Sequence, residues 1–213
     1  RESETSPISW CTNCLNASTR PRISFDERGW CNACRWAEEK SSLDWTQRAS
    51  ELRELLDRHR RTDGRFDCIV PVSGGKDGSY VAYQPKHVHG MNPLCVTVTP
   101  AMETQLGRRN LAAFIESGFD HLQLNPNPQT MRVLNRVGLS EMGFPYFGWL
   151  VAIMTAVSRV AVSFGVGLIF YGEDGEVEYG GSTETADTPG YDFDYMKRVY
   201  YEGGHDLVLD NSG

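Results

Sequence analysis

"IVPVSGGKDGSY", residues 69–80, is the stretch on which the reading of this chain turns. Ile69, Val70 and Val72 make a short apolar run of the kind that forms a buried strand, and "YVAYQ" from Tyr80 resumes a helix-like apolar spacing. Between them, "SGGKDGS" offers little side chain to pack but many backbone N–H groups. Strand, glycine turn and helix start together make an anion cradle. Gly74 and Gly75 let the backbone approach a phosphate, and a helix N-terminus adds partial positive charge. Two common cradles do not fit. A Walker loop needs four residues between its first glycine and Gly-Lys-Ser/Thr. The dinucleotide turn Gly-x-Gly-x-x-Gly fails because Gly74 is followed at once by Gly75.

Outward from this stretch the pattern alternates. Strands are expected at "FDCIVPV", "PLCVTVT", "HLQLN" and "VGLIFYG", and helices at "GSYVAYQPKHV", "GRRNLAAFIESG", "PQTMRVLNRVG" and "FGWLVAIMTAVSRVAVSFG". Such alternation means parallel strands with crossover helices: an α/β fold, an open parallel sheet with helices on both faces. Pro85 should kink or shorten the first of these helices. Ahead of the sheet, "SLDWTQRASELRELLDRHRR" reads as a helix with Trp45, Ala49, Leu52, Leu55 and Leu56 on one face, capped by Ser42 or Asp44.

Composition narrows the function classes. The chain has 213 residues, 40% of them hydrophobic and 11% aromatic, enough for a real core. Its formal charge of −7 argues against holding nucleic acid mainly through phosphates. The apolar stretch 144–172 is interrupted by Arg159, and the part before it is shorter than the roughly 20 residues of a membrane span. A buried helix followed by a buried strand is expected there, with no membrane partner. The polar start "RESETSPISW" carries no secretory signal, which implies a cytoplasmic protein. A first residue other than Met, and a sheet that runs out at its far edge, are expected of a shortened chain.

Four of six cysteines form two tight pairs, Cys11 with Cys14 and Cys31 with Cys34, sixteen residues apart. That spacing is that of a four-cysteine zinc site, structural in role. Residues 1–40 are therefore expected to be a zinc-binding module too small for a core of its own, 41–65 a connecting helix, and 66–213 the α/β domain. Cys68 and Cys95 sit in apolar strand contexts, as do buried core thiols.

"SGGKDGS" resembles the PP-loop, Ser-Gly-Gly-x-Asp-Ser, of the ATP pyrophosphatase superfamily. Ser73, Gly74, Gly75, Lys76 and Asp77 match; Gly78 stands where the pattern has serine, and Ser79 follows. The resemblance implies splitting of ATP between its α and β phosphates, with a carbonyl oxygen adenylated and then replaced. Ser73, Ser79 and the loop N–H groups would hold the departing pyrophosphate, and Lys76 would neutralise its charge. Asp77 would place Mg2+ or fix the loop. Val98 and Thr99, ending the second strand, would lie beside adenine.

A closer resemblance runs from Cys11 to about Gly181. "CTNCLNASTRPRISFDERGWCNAC", "PVSGGKDGSY", "NPLCVTVTP", "GFDHLQLNPNP" and "YGEDGEVEYGG" look like the N-acetyl sugar amidotransferases of bacterial lipopolysaccharide, O-antigen and nonulosonic-acid biosynthesis. The likeness implies conversion of an acetamido group on a nucleotide-linked or acidic sugar into an acetamidino group. Ammonia would come from a glutaminase subunit. The candidate catalytic residues are Lys76, Asp77 and Glu173; Glu173, Asp174, Glu178, Tyr179 and Gly180 are candidates for magnesium or acceptor binding. Two alternatives stand beside this one: a tRNA-thiolating PP-loop enzyme, which would need catalytic cysteines, and a non-catalytic zinc adaptor that binds nucleotide.

Overall fold

The computed structural model describes residues 7–172, 175–186, 188, 190, 192–201, 203, 206 and 210. The chain divides into two units, Arg1–Thr46 with Asp174–Val199, and Gln47–Glu173 with Tyr200–Gly213. In chain order the elements are α1 (Asn32–Lys40), α2 (Trp45–His59), β1 (Cys68–Pro71), α3 (Lys76–Tyr83), β2 (Pro93–Val98), α4 (Gln105–Glu116), β3 (Asp120–Leu124), α5 (Pro128–Met142), α6 (Phe147–Phe164), α7 (Gly175–Tyr179) and α8 (Phe193–Tyr195).

The second unit is built on a parallel sheet in the order β1-β2-β3, with Val70 beside Cys95 and Val96 beside Leu122. Successive side chains on β1 serve opposite faces. Cys68, Val70 and Val72 cluster with Leu56 of α2, Ala82 of α3, and Leu111 and Phe114 of α4. Ile69, Leu94 and Val96 cluster instead with Val157, Val160 and Ala161 of α6. Helices thus cover both faces, which is why β2 is apolar or buried at every position.

The strand expected at 166–172 shrinks to one parallel bridge, Ile69 to Ile169. Ile69 N–H donates to the Leu168 carbonyl and Phe170 N–H to the Ile69 carbonyl, each at 2.9 Å. Ile69 spends both its backbone groups here, so 168–170 lies on the side of β1 away from β2. The chain therefore leaves β1 in one direction and returns on its other side, opening a crevice at the carboxyl end of β1. Gly165, Gly167 and Gly172 bracket the short segment, and glycine in a strand weakens the ladder.

α3 stops at Tyr83, two residues before Pro85, in line with the expected shortening. The chain passes from α3 into a π-helical turn, Gln84–Val88, in which His89 N–H reaches the Gln84 carbonyl at 3.1 Å. The wider turn accommodates a residue without an N–H. In α2, Leu56 is buried, but Trp45 is exposed rather than core-facing. Asp44 does start that helix, accepting from Thr46 N–H at 2.9 Å. By length and composition α6 is, among the described residues, one helix able to cross a membrane, with a mean hydropathy of 1.7. Its Phe147, Met154, Val157, Val160 and Ala161 are nevertheless buried in this unit.

The first unit departs most from expectation. Residues 174–199 belong with the cysteine module, not with the sheet, so the domain expected at 66–213 is interrupted. α7 packs on α1, a helix the sequence reading did not anticipate. Asn32 Nδ2 donates to the Gly181 carbonyl at 2.6 Å, and Val177, Tyr195 and Val199 are buried. The module therefore has apolar partners besides its cysteines.

Candidate functional site

In the first unit the sulfurs of Cys11, Cys14, Cys31 and Cys34 lie within 4.8 Å of one another. Cys11 and Cys34 are 3.8 Å apart and Cys14 and Cys31 3.5 Å, and none is in a disulfide. The first pair rides a tight turn in which Leu15, at φ +64, donates to the Cys11 carbonyl. In the second pair, Cys31 is the N-cap of α1 and Cys34 lies in its first turn, where partial positive charge favours thiolate. Burial works against a thiolate at Cys11, yet the N–H groups of Cys14, Cys31 and Asn13 bring it down to about 6. Burial pushes Cys34 up to about 12, and the neighbouring cysteines add to that rise. Four sulfurs so placed, with N–H groups aimed at them, fit a tetrahedral metal such as zinc. Ile23, Phe25, Trp30 and Ala33 form the apolar shell around them.

In the second unit, the glycine loop follows β1 directly. Gly74 has φ +79, and a Cβ there would stand 2.7 Å from Leu111 N of α4, so only glycine fits. Gly78 lies against the backbone: its Cβ would be 2.9 Å from the Pro71 carbonyl oxygen, while Gly172 presses on its other side. Sterics thus explain why no serine stands at 78. Ser79 does not take over that hydroxyl's role in this conformation, since its Oγ donates to the Gly75 carbonyl at 2.7 Å. Gly75 is the N-cap of α3 without a side-chain cap, so the first turn's N–H groups are left for a ligand. Lys76 and Asp77 are exposed and paired at 2.6 Å. Below the loop, the Thr97 hydroxyl donates to the Val72 carbonyl at 2.7 Å and meets His121 Nε2 at 2.8 Å. With its proton committed to Val72, Thr97 accepts from His121, which fixes that ring's tautomer.

A cleft of about 450 Å3 opens at the carboxyl ends of β2 and β3, lined by Thr99, Asn125, Met131, Arg132, Asn135 and Trp149 among others. Thr99 was expected to bind nucleotide; Val98 beside it is buried. Arg132, Asn135 and Trp149 carry no motif, and nothing short-range in the sequence marks them.

Glu173 and Asp174 lie outside the described residues. Glu178 and Tyr179 are exposed on α7, in the unit of the cysteines. The described part of the acidic stretch is the short helix α7. The close approach that Gly180 and Gly181 allow is to α1 and to the Glu176 carboxylate. Glu176, unnoticed in the sequence, binds Arg22 through two bonds of 3.0 and 3.1 Å and accepts from Ser182 N–H at 2.7 Å. Burial opposes its charge, but these donors hold its carboxyl below the usual range. Among the described residues the four cysteines form the one group of three or more metal-ligand side chains close enough to share an ion.

No family model matches the chain. It is 29% identical over 89 residues to an uncharacterized protein of Methanocaldococcus jannaschii, a match covering 41% of this chain and 32% of that protein. The chain thus spans about a third of that relative's length. Among solved structures, one from the same organism, described as a predicted subunit of tRNA methyltransferase, superposes with a TM-score of 0.38 at 16% identity. That match covers 63% of this chain and 61% of the other. A superposition that loose says nothing about chemistry.

Proposed function

We propose that this chain is the ATP-dependent, carbonyl-activating part of an N-acetyl sugar amidotransferase of the PP-loop superfamily. The observation that carries the reading is the glycine loop itself. Uncapped N–H groups of α3 stand at the carboxyl end of β1, where the chain reverses direction across the sheet. An acetamido oxygen would attack the α-phosphorus of ATP, and the bond to the β-phosphate oxygen would break. Pyrophosphate would leave into the loop, where N–H groups and Lys76 meet its charge. Ammonia would then attack the imidate carbon and AMP would depart, leaving an amidine. Adenosine would lie over the ends of β1 and β2, by Val98.

The thiolating alternative loses ground on the cysteines. Besides the four in the cluster, Cys68 and Cys95 are fully buried, and burial pushes both up to about 12. Neither is a nucleophile in this fold. The deciding experiment incubates the chain with ATP, an ammonium salt and a panel of acetamido sugars, followed by mass spectrometry. An amidine, lighter than the amide by the difference between O and NH, supports the reading; ATP binding without pyrophosphate release favours the non-catalytic adaptor. Glutamine should serve only with a glutaminase subunit added, and hydrolysis of glutamine by the isolated chain would remove that partner from the scheme.

A further inference from the structure

We infer that Thr97 and His121 are positioning residues of the glycine loop: acting through the Val72 carbonyl, they aim and polarise the Ser73 N–H as a donor to phosphate. The inference rests on the reading of the loop as a phosphate cradle and is independent of the sugar chemistry.

The path is a chain of hydrogen bonds. Val72 is the last residue before the loop, and its N–H donates to the Val96 carbonyl at 2.9 Å, continuing the parallel ladder of β1 with β2. At the carbonyl of the same residue a side chain joins in: the Thr97 hydroxyl donates at 2.7 Å, from a residue only 3% exposed. A carbonyl can only accept, so the one hydroxyl proton of Thr97 is committed. His121 Nε2, at 2.8 Å, is then the donor to Thr97 Oγ1. The bonds therefore run in one direction, from imidazole to hydroxyl to carbonyl, and hydrogen bonds so linked polarise one another. The peptide between Val72 and Ser73 is trans, so Ser73 N–H points opposite to the Val72 carbonyl and away from Thr97. Among the described residues nothing accepts from that N–H. It is the first donor of the loop, and the relay stands behind it.

Residue choice argues the same way. Valine would fill a buried strand position as well as threonine does, with no hydroxyl to satisfy. Cys95, two residues earlier on the same face of β2, simply packs with Val72 and Leu111. Among the described residues of this unit the buried polar side chains are Asp67, just before β1, and Thr97, near the carboxyl end of β2 beside the loop. Burial pushes His121 below its ordinary value, so the ring is neutral near pH 7 and its tautomer sets the direction of the chain.

Imidazole nitrogen NMR of the full chain reads the tautomer, which should be Nε2–H. An Nδ1–H ring would draw the Thr97 proton to His121 and overturn the inference. Calorimetric titration with pyrophosphate and with MgATP reads the consequence. Thr97→Val should weaken both about tenfold, and amide exchange at 73–75 should quicken while β1, β2 and β3 stay protected. His121→Phe should act in the same direction. Thr97→Ser and His121→Gln, which keep the hydroxyl and a donor near Nε2, should bind as the wild type does. If Thr97→Val does not fold, His121→Phe and the tautomer decide the matter. A contact that serves stability alone would lower Tm in these variants yet leave pyrophosphate affinity and loop exchange unchanged, which would overturn the inference. Wild-type protein that binds neither probe would remove the cradle reading itself, and this inference with it.

Discussion

Arg22 grips Glu176 across 154 positions of sequence, through Nε at 3.0 Å and a second guanidinium nitrogen at 3.1 Å. The pair is well sheltered, with 30% of the arginine and 14% of the glutamate side chain exposed. Ser182 N–H adds a third bond to the same carboxylate, and Gly181 N–H donates to the Glu176 carbonyl at 2.7 Å. One charged group thus ties the segment after α7 to the turn that precedes the second cysteine pair.

Acid should loosen this tie. The folded carboxyl of Glu176 is held below its usual range, so its contribution is complete above the unfolded value of about 4.3. It drains away as pH falls through the lower folded value. Hydrogen exchange at residues 176–182 should therefore quicken as pH drops below about 4.3, after correction for intrinsic rates. Glu176→Gln should remove that dependence, and Arg22→Ala should cost about 2 kcal/mol near neutral pH. An unchanged exchange profile in Glu176→Gln would show that the acid response comes from elsewhere.

Replacing Cys31 with serine should strip the bound metal and unfold the first unit, since such sites supply folding free energy. Metal analysis and circular dichroism read the two effects. The second unit should keep its sheet, because β1 to β3 and their two apolar clusters draw on none of the four cysteines. Full zinc content in the variant would remove Cys31 from the ligand set.

Gly74 and Gly90 make a matched pair for thermal unfolding. Both are left-handed, at φ +79 and +63, so alanine at either costs about 1–2 kcal/mol of backbone strain. Around Gly90 there is open space, whereas a Cβ at 74 runs into the α4 backbone. Tm should fall further for Gly74→Ala than for Gly90→Ala, and ATP affinity should suffer only in the former.

Lys76→Ala should cut pyrophosphate release about 100-fold, the scale of losing one group that meets developing charge. Ser79→Ala should change it little, because that hydroxyl is spent on the Gly75 carbonyl. Equal losses in both would mean that Ser79 turns toward the phosphates when ATP binds.

What the sequence determined by itself is local. Ile69, Val70 and Val72 read as a strand buried on both faces, and β2 likewise, because adjacent residues serve opposite helical layers. The glycine turn and helix start were legible because turn chemistry and helix entry need particular residues at neighbouring positions. The cysteine pairs were legible because a metal's ligands must come close, and two residues apart on a tight turn is the shortest way.

Tertiary structure decided the rest, through contacts that leave no periodic trace. Gly78 looked like a departure from a motif until Pro71 and Gly172 were found pressed against its backbone. The acidic stretch was expected within the α/β domain at 66–213; it groups with the cysteine unit, where Val177 is buried and Glu176 pairs with Arg22. The cleft gathers Thr99, Asn125, Arg132 and Trp149 from four separate segments. Each of those residues is unremarkable in its own neighbourhood, since a cavity is a property of how loops and helices converge. Local pattern fixes which elements form, whereas charge pairs and cavities depend on distances between elements that no short window of sequence contains.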